Sequence, residues 1–322
     1  MALSNMQVYN SEIVGTTIEL LGQMTNKFNQ ASGGAIVLST DGFRGDYDKS
    51  SFFQQVAGAK RRVNRYGANG AQASTALTQA ENVGVKVAGG FGPILFEPSQ
   101  MSWLQRNPGE AILAIAEGFA DALLADQLNT AIGAAVAAIE NNAAMVNDVS
   151  ATLGLSQQAL NGAHAKFGDM SSMLVSDVMT GAAYHDLIDK GLANGERLFE
   201  SSNVLVQSIL GKVFVVSDIP SLYVAGTPNK HKVLSLVNRG VIVDNTSDVI
   251  SNLETSNGKE RIETTWQADY TFGLKVKGYA WDVVNGGASP DDTALFTGTN
   301  WDKVVADNKH TAGVLAIADA DK

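Results

Sequence analysis

The densest charge chemistry in the chain is the run Lys60-Arg61-Arg62, with Arg65 and Tyr66 just behind it. Cations at this spacing can contact phosphates, lie solvated, or meet carboxylates on another protein surface. A protein that clamps nucleic acid usually shows a basic excess. Here the net charge is −10, which argues against sequence-specific nucleic-acid binding. Arg44-Gly45-Asp46 is a short receptor-like match that reads as a polar hairpin turn. Asp41, Asp46 and Asp48 do not have the spacing of a twelve-residue calcium loop. The four histidines, His164, His185, His231 and His310, are far apart and include no i, i+4 pair, so no zinc site is expected.

Nucleophile and cofactor patterns are missing as well. No Gly-x-Ser-x-Gly elbow occurs, and Gly211-Lys212 lacks the residues of a phosphate loop on either side. Gly89-Gly90-Phe91-Gly92 precedes Pro93 and not a helix, so it fails as a dinucleotide fingerprint. There is no cysteine, hence no disulfide, thiolate nucleophile or thiolate-held metal. The expectation is therefore no catalytic residue, no cofactor and no metal. A soluble α/β hydrolase or small-molecule binder is the alternative from another class, and no constellation supports it. The N-terminus lacks the pattern of a signal peptide. The most apolar long stretch, residues 111–139, is interrupted by Glu117, Asp121 and Asp126, so no membrane span is expected.

The elements that must position these residues can be read from periodicity. Residues 1–32 are polar, with Ile13, Val14, Ile18, Leu20 and Leu21 predicting a short amphipathic helix inside an extended arm. Residues 33–92 open on Gly33-Gly34 and close near Gly89-Gly90. Between the glycines lie strand-like Ala35-Ile36-Val37-Leu38, Ser51-Phe52-Phe53 and the alternating Val83, Val85 and Val87. The middle, residues 66–78, has little to bury and reads as a long hairpin that does not support itself. The glycines at both ends are hinge candidates, because glycine tolerates conformations other residues avoid. Asn107, Pro108 and Glu110 then start a helix that should run to about residue 144, with Gly118 and Gly133 its weak points. Residues 150–260 alternate helix and strand and predict a separate α/β lobe. Residues 261–284 alternate as long strands. The tail ends in an apolar piece near residues 313–318.

This order of parts resembles the Hong Kong 97 fold of tailed-bacteriophage major capsid proteins. Met173-Leu174-Val175-Ser176-Asp177-Val178-Met179-Thr180, followed by Tyr184 and Leu187, is similar to the strand-then-helix signature of the A-domain in that family. Residues 211–220 are similar to the strand that follows, and residues 261–281 to the closing P-domain strands. The resemblance implies an α+β fold with an N-terminal arm over 1–32 and an E-loop hairpin over 33–92. A P-domain with a spine helix covers 93–149, an A-domain 150–260, and P-domain return strands with the C-terminus 261–322.

The implied role is a structural coat subunit, not an enzyme. It would self-assemble as pentamers and hexamers into an icosahedral virion shell around double-stranded DNA, built in the bacterial cytoplasm. Implied partners are other copies of the chain, a scaffolding protein, a portal and a decoration protein, with packaged DNA held without sequence reading and no membrane. An encapsulin-like compartment is the alternative within the same fold. Lys60, Arg61, Arg62 and Arg65 then become intersubunit contact candidates. They lie in the implied E-loop, whereas residues 67–160 carry two basic and eight acidic side chains. Opposite charges on neighbouring subunits set register more than they add affinity.

Overall fold

The computed structural model describes residues 3–39, 45–54, 60–96, 108–193, 212–245, 248–258 and 260–322. In chain order they form α1 (Leu3–Ala31), β1 (Ile36–Ser39), β2 (Tyr47–Phe53), β3 (Gln79–Phe96), α2 (Pro108–Glu140) and β4 (Val146–Asp148). Next come α3 (Gln157–Ala165), β5 (Leu174–Met179), α4 (Gly181–Ala193), β6 (Val213–Val216), β7 (Tyr223–Val224), β8 (Lys230–Val237) and β9 (Val241–Asn245). The chain closes with β10 (Ile250–Ser256), β11 (Glu263–Val276), β12 (Tyr279–Trp281), α5 (Asp292–Leu295), β13 (Trp301–Lys303) and β14 (Gly313–Asp319).

The strands make two sheets. The first runs β1-β9-β11-β12-β13, with β10 and β3 also paired to β11, and β2 paired to β3. At its centre β11 alternates buried and more open positions from Glu263 onward, as a half-buried strand should. Trp266, Phe272 and Leu274 are fully buried on it. Trp266 meets Phe91 and Phe119 edge-on, at ring distances of 5.9 and 5.4 Å, which joins β3, α2 and β11 in one aromatic cluster. The second sheet runs β4-β14-β8-β5-β6.

α2 links the two sheets. It has no proline after its first residue, and apolar residues ring its C-terminal half. Residues 130–139 are buried all round, as expected of a helix with no polar face. This helix is long and apolar enough to span a membrane by length and composition, yet its apolar surface faces the protein's own core. Gly133 admits Phe296: a Cβ there would stand 2.2 Å from the ring. The helix ends at Glu140 rather than near 144, giving way to a tight turn over Ala143–Met145. The expected Asn107 cap lies outside the described residues.

Three sequence expectations need correction. The N-terminal segment is a 29-residue helix, not a short helix in an extended arm. Ile13, Thr17, Leu21 and Thr25 share its buried side, since they recur at helical spacing. Residues 230–245, inside the segment expected as one separate α/β lobe, form two strands in different sheets, β8 and β9. Arg239 takes a left-handed φ of 53° there, and Gly240 lies close against the Ala312 and Val237 carbonyls. Finally, the apolar tail does not return to the first sheet. β14 enters the second sheet between β4 and β8 and is buried along its whole length. Consequently β9 and β10 leave the 150–260 segment, and β14 leaves the 261–322 segment, to join the opposite sheets.

Candidate assembly surface

β2 and β3 form an antiparallel hairpin in which Tyr47 pairs with Val85 and Phe53 with Gln79. The connection between them is the site. Every residue from 60 to 79 is exposed, and residues 60–78 have no regular structure. Their local composition explains this, because Ala, Gly, Ser, Asn and Gln offer too little apolar surface to offset the entropy of ordering.

Lys60, Arg61, Arg62 and Arg65 are all in this exposed connection. Among the described residues none of the four makes an ion pair. Tyr66 beside them is 96% exposed, and Val63 and Leu77 are also open to solvent, which is unusual for large apolar side chains in one loop. The few contacts are local or at the base: Tyr66 N–H donates to Asn64 Oδ1 at 3.0 Å, and the Gln54 side-chain amide donates to the Val304 carbonyl at 2.8 Å. Arg44 and Asp41 lie outside the described residues, while Asp46 is exposed and its carbonyl accepts from Lys86 N–H at 3.0 Å.

The glycine pairs differ from each other. Gly33 and Gly34 have φ of 63° and 76° and turn the chain from the end of α1 into β1. Gly34 N–H closes on the Asn29 carbonyl at 3.2 Å. Gly89 and Gly90, expected at the end of the hairpin, lie inside β3 and pair with Tyr270 and Asp269. Glycine at 89 has a packing reason: a Cβ would meet the Tyr270 ring at 2.5 Å. Tyr270 in turn donates to Asp126 Oδ2 at 2.8 Å. Burial pushes the Asp126 carboxyl up; the Tyr270 hydrogen bond opposes this in part, and the Asp292 charge adds a weaker upward push. Burial and the Asp126 carboxylate both push the Tyr270 phenol up. Sequence reading missed this pair, since nothing in spacing links positions 144 residues apart.

One constellation resembles a hydrolytic site and is not one. His164, Asp177 and Ser235 meet in the second sheet, but His164 Nε2 contacts both Asp177 Oδ1 at 3.1 Å and Ser235 Oγ at 3.0 Å. A triad base takes the serine proton at one ring nitrogen while the acid holds the other. Here one nitrogen serves both, and all three residues are buried away from any substrate. Among the described residues no group of three His, Asp or Glu side chains could hold a metal. What the molecule does present is a charged, unsupported loop on a long hairpin.

The comparisons agree with the architecture. A family model described as Gp13-like, major capsid protein 13-like, matches residues 5–315. The chain is similar in structure to the capsid asymmetric unit of cyanophage Pam1, at 14% identity, covering 88% of each chain with a TM-score of 0.50. It is equally similar to a structure from Mycobacterium phage Cain, at 10% identity, covering 88% of this chain and 87% of that one, again with a TM-score of 0.50. No curated protein matches. The likeness to these structures shows the Hong Kong 97-like fold. The family match extends over almost the entire sequence and carries the role with it: the chain belongs to the Gp13-like family of major capsid proteins and is a structural subunit of a bacteriophage capsid shell.

Proposed function

We propose that the β2–β3 hairpin is the arm by which each subunit grips its neighbour, and that Lys60, Arg61, Arg62 and Arg65 meet carboxylates on that neighbour. The observation that supports this is the full exposure of residues 60–79 in a chain that otherwise builds a continuous core. In family terms the hairpin is the E-loop and α1 the N-terminal arm. α2 with the first sheet is the P-domain, and the second sheet with its helices is the A-domain. Gly33-Gly34 is the hinge pair that lets α1 change its angle to β1, and Gly89-Gly90 gives β3 room to bend with Tyr270. Weak contacts repeated around closed rings of five and six copies add up to a stable icosahedral shell. The shell encloses double-stranded DNA without sequence reading, which suits an acidic wall. Assembly takes place in the host cytoplasm on a scaffolding protein, with a portal at one vertex and a decoration protein outside.

The test is charge reversal. Arg61→Glu with Arg62→Glu should leave the folded monomer within about 0.5 kcal/mol of the parent, as for most surface substitutions. Shell formation, followed by light scattering and negative-stain microscopy, should fail at low salt. Raised salt should weaken parental assembly and partly relieve the block in the variant. Normal assembly of the variant at low salt would mean that the run is a solvated patch.

A further inference from the structure

The base of the hairpin holds an arrangement that the assembly reading does not use. Lys275 on β11 lies across the sheet. Its Nζ is 2.8 Å from Asp244 Oδ2 on β9, and on the other side it forms an ion pair with Asp48 on β2. Between β11 and β2 stands β3, and the residue beneath the lysine is Gly84, which pairs with Asp48. A Cβ on Gly84 would meet Lys275 Cγ at 2.5 Å and Cε at 3.2 Å. Glycine at 84 thus leaves a channel through which one side chain spans from β9 to the outermost strand. A second cross-link, Lys86 on β3 to Asp248, sits nearby at 3.7 Å.

The two carboxylates are unequal. The Asp244 side chain is 7% exposed and the Asp48 side chain 46%. Releasing Asp244 would leave a buried charge without its partner, which is costly. Releasing Asp48 returns a half-exposed carboxylate to water, which costs little. Lys275 reflects the same balance: burial pulls it down, yet the hydrogen bonds and charges of Asp244 and Asp48 outweigh this and leave it raised.

We infer that Lys275 is an ionic clamp with one permanent and one releasable jaw: it stays on Asp244 and lets go of Asp48, so that β2 and its loop can change angle against the first sheet. The consequence for assembly rests on the reading of the hairpin as an intersubunit arm; the clamp itself does not.

Hydrogen exchange on the full-length subunit tests it. Asp48→Asn should raise exchange across residues 47–53 by about fivefold, the scale of a partly exposed ion pair, while β9 and β11 keep their protection. Gly84→Ala should do the same with no charge removed, because its methyl occupies the lysine's path. Raised salt should bring the parent toward Asp48→Asn. Unchanged exchange over residues 47–53 in both variants would overturn the clamp, whatever the shells do. Faster exchange with unaltered shell assembly would leave the clamp standing and count against the arm.

Discussion

Residues 130–139 of α2 and residues 60–79 of the hairpin are opposites. In the first, every side chain is buried, and Gly133 has given up its Cβ to a neighbouring ring. In the second, every residue is exposed, including Tyr66, Val63 and Leu77. The helix is stabilised by its own chain, so its sequence is constrained by volume and shape. The loop buries nothing within the chain, so its sequence is constrained by whatever it meets outside. The contrast teaches that monomer stability and shell formation are encoded in separable places.

Gly133→Ala is expected to have the largest effect on the monomer. Helix propensity alone favours alanine by about 0.5–1 kcal/mol, but the methyl must displace Phe296, and overpacking costs about 1–3 kcal/mol. Denaturant unfolding should show a net loss of stability. In a Phe296→Ala background the same substitution should become stabilising, and a cycle of the four proteins reads the coupling directly. If Gly133→Ala stabilises the parent, the close contact does not govern this position.

Asp126 gives a smaller effect with a definite pH signature. Its folded carboxyl titrates above the ordinary 3.8 because burial disfavours the charge. The folded state therefore binds this proton more tightly than the unfolded chain, and its contribution to stability is lost as pH rises through that window. Asp126→Asn keeps an acceptor for the Tyr270 hydroxyl and removes the titration. Relative to the parent, its stability should rise with pH above about 4 and then level off, by no more than about 1 kcal/mol for a partly exposed group. A difference between the two proteins that is independent of pH would contradict this assignment.

The smallest monomer effect belongs to the loop. Replacing residues 67–76 with an equally long Gly/Ser segment should change unfolding free energy by less than about 0.5 kcal/mol, because no core contact is removed. A large loss would show that the loop packs against its own subunit in solution and would erase the contrast with α2.

Much of this was legible from residue order. Alternation exposed β11 and β3, and the apolar run Ala35-Ile36-Val37-Leu38 exposed β1. The absence of proline and the density of alanine marked the long helix. The polar, small-residue stretch after Tyr66 marked a segment with no core of its own. These are local properties, set by the backbone and side chains of neighbouring residues, and they survive translation into structure.

Other features needed the tertiary structure, because they depend on which strands lie side by side. β14 reads as an apolar piece wherever it goes, and only the packing around it decides that it enters the second sheet. Gly89 and Gly90 look like hinges in sequence, whereas the Tyr270 ring across the ladder gives Gly89 its reason. Lys275 is one cation in an alternating strand until Asp48 and Asp244, far away in sequence, are brought to its two sides. Periodicity determined the elements and composition determined which segment stays uncovered. Partners across the sheets were decided by folding, because pairing energy acts through space and leaves no trace in spacing.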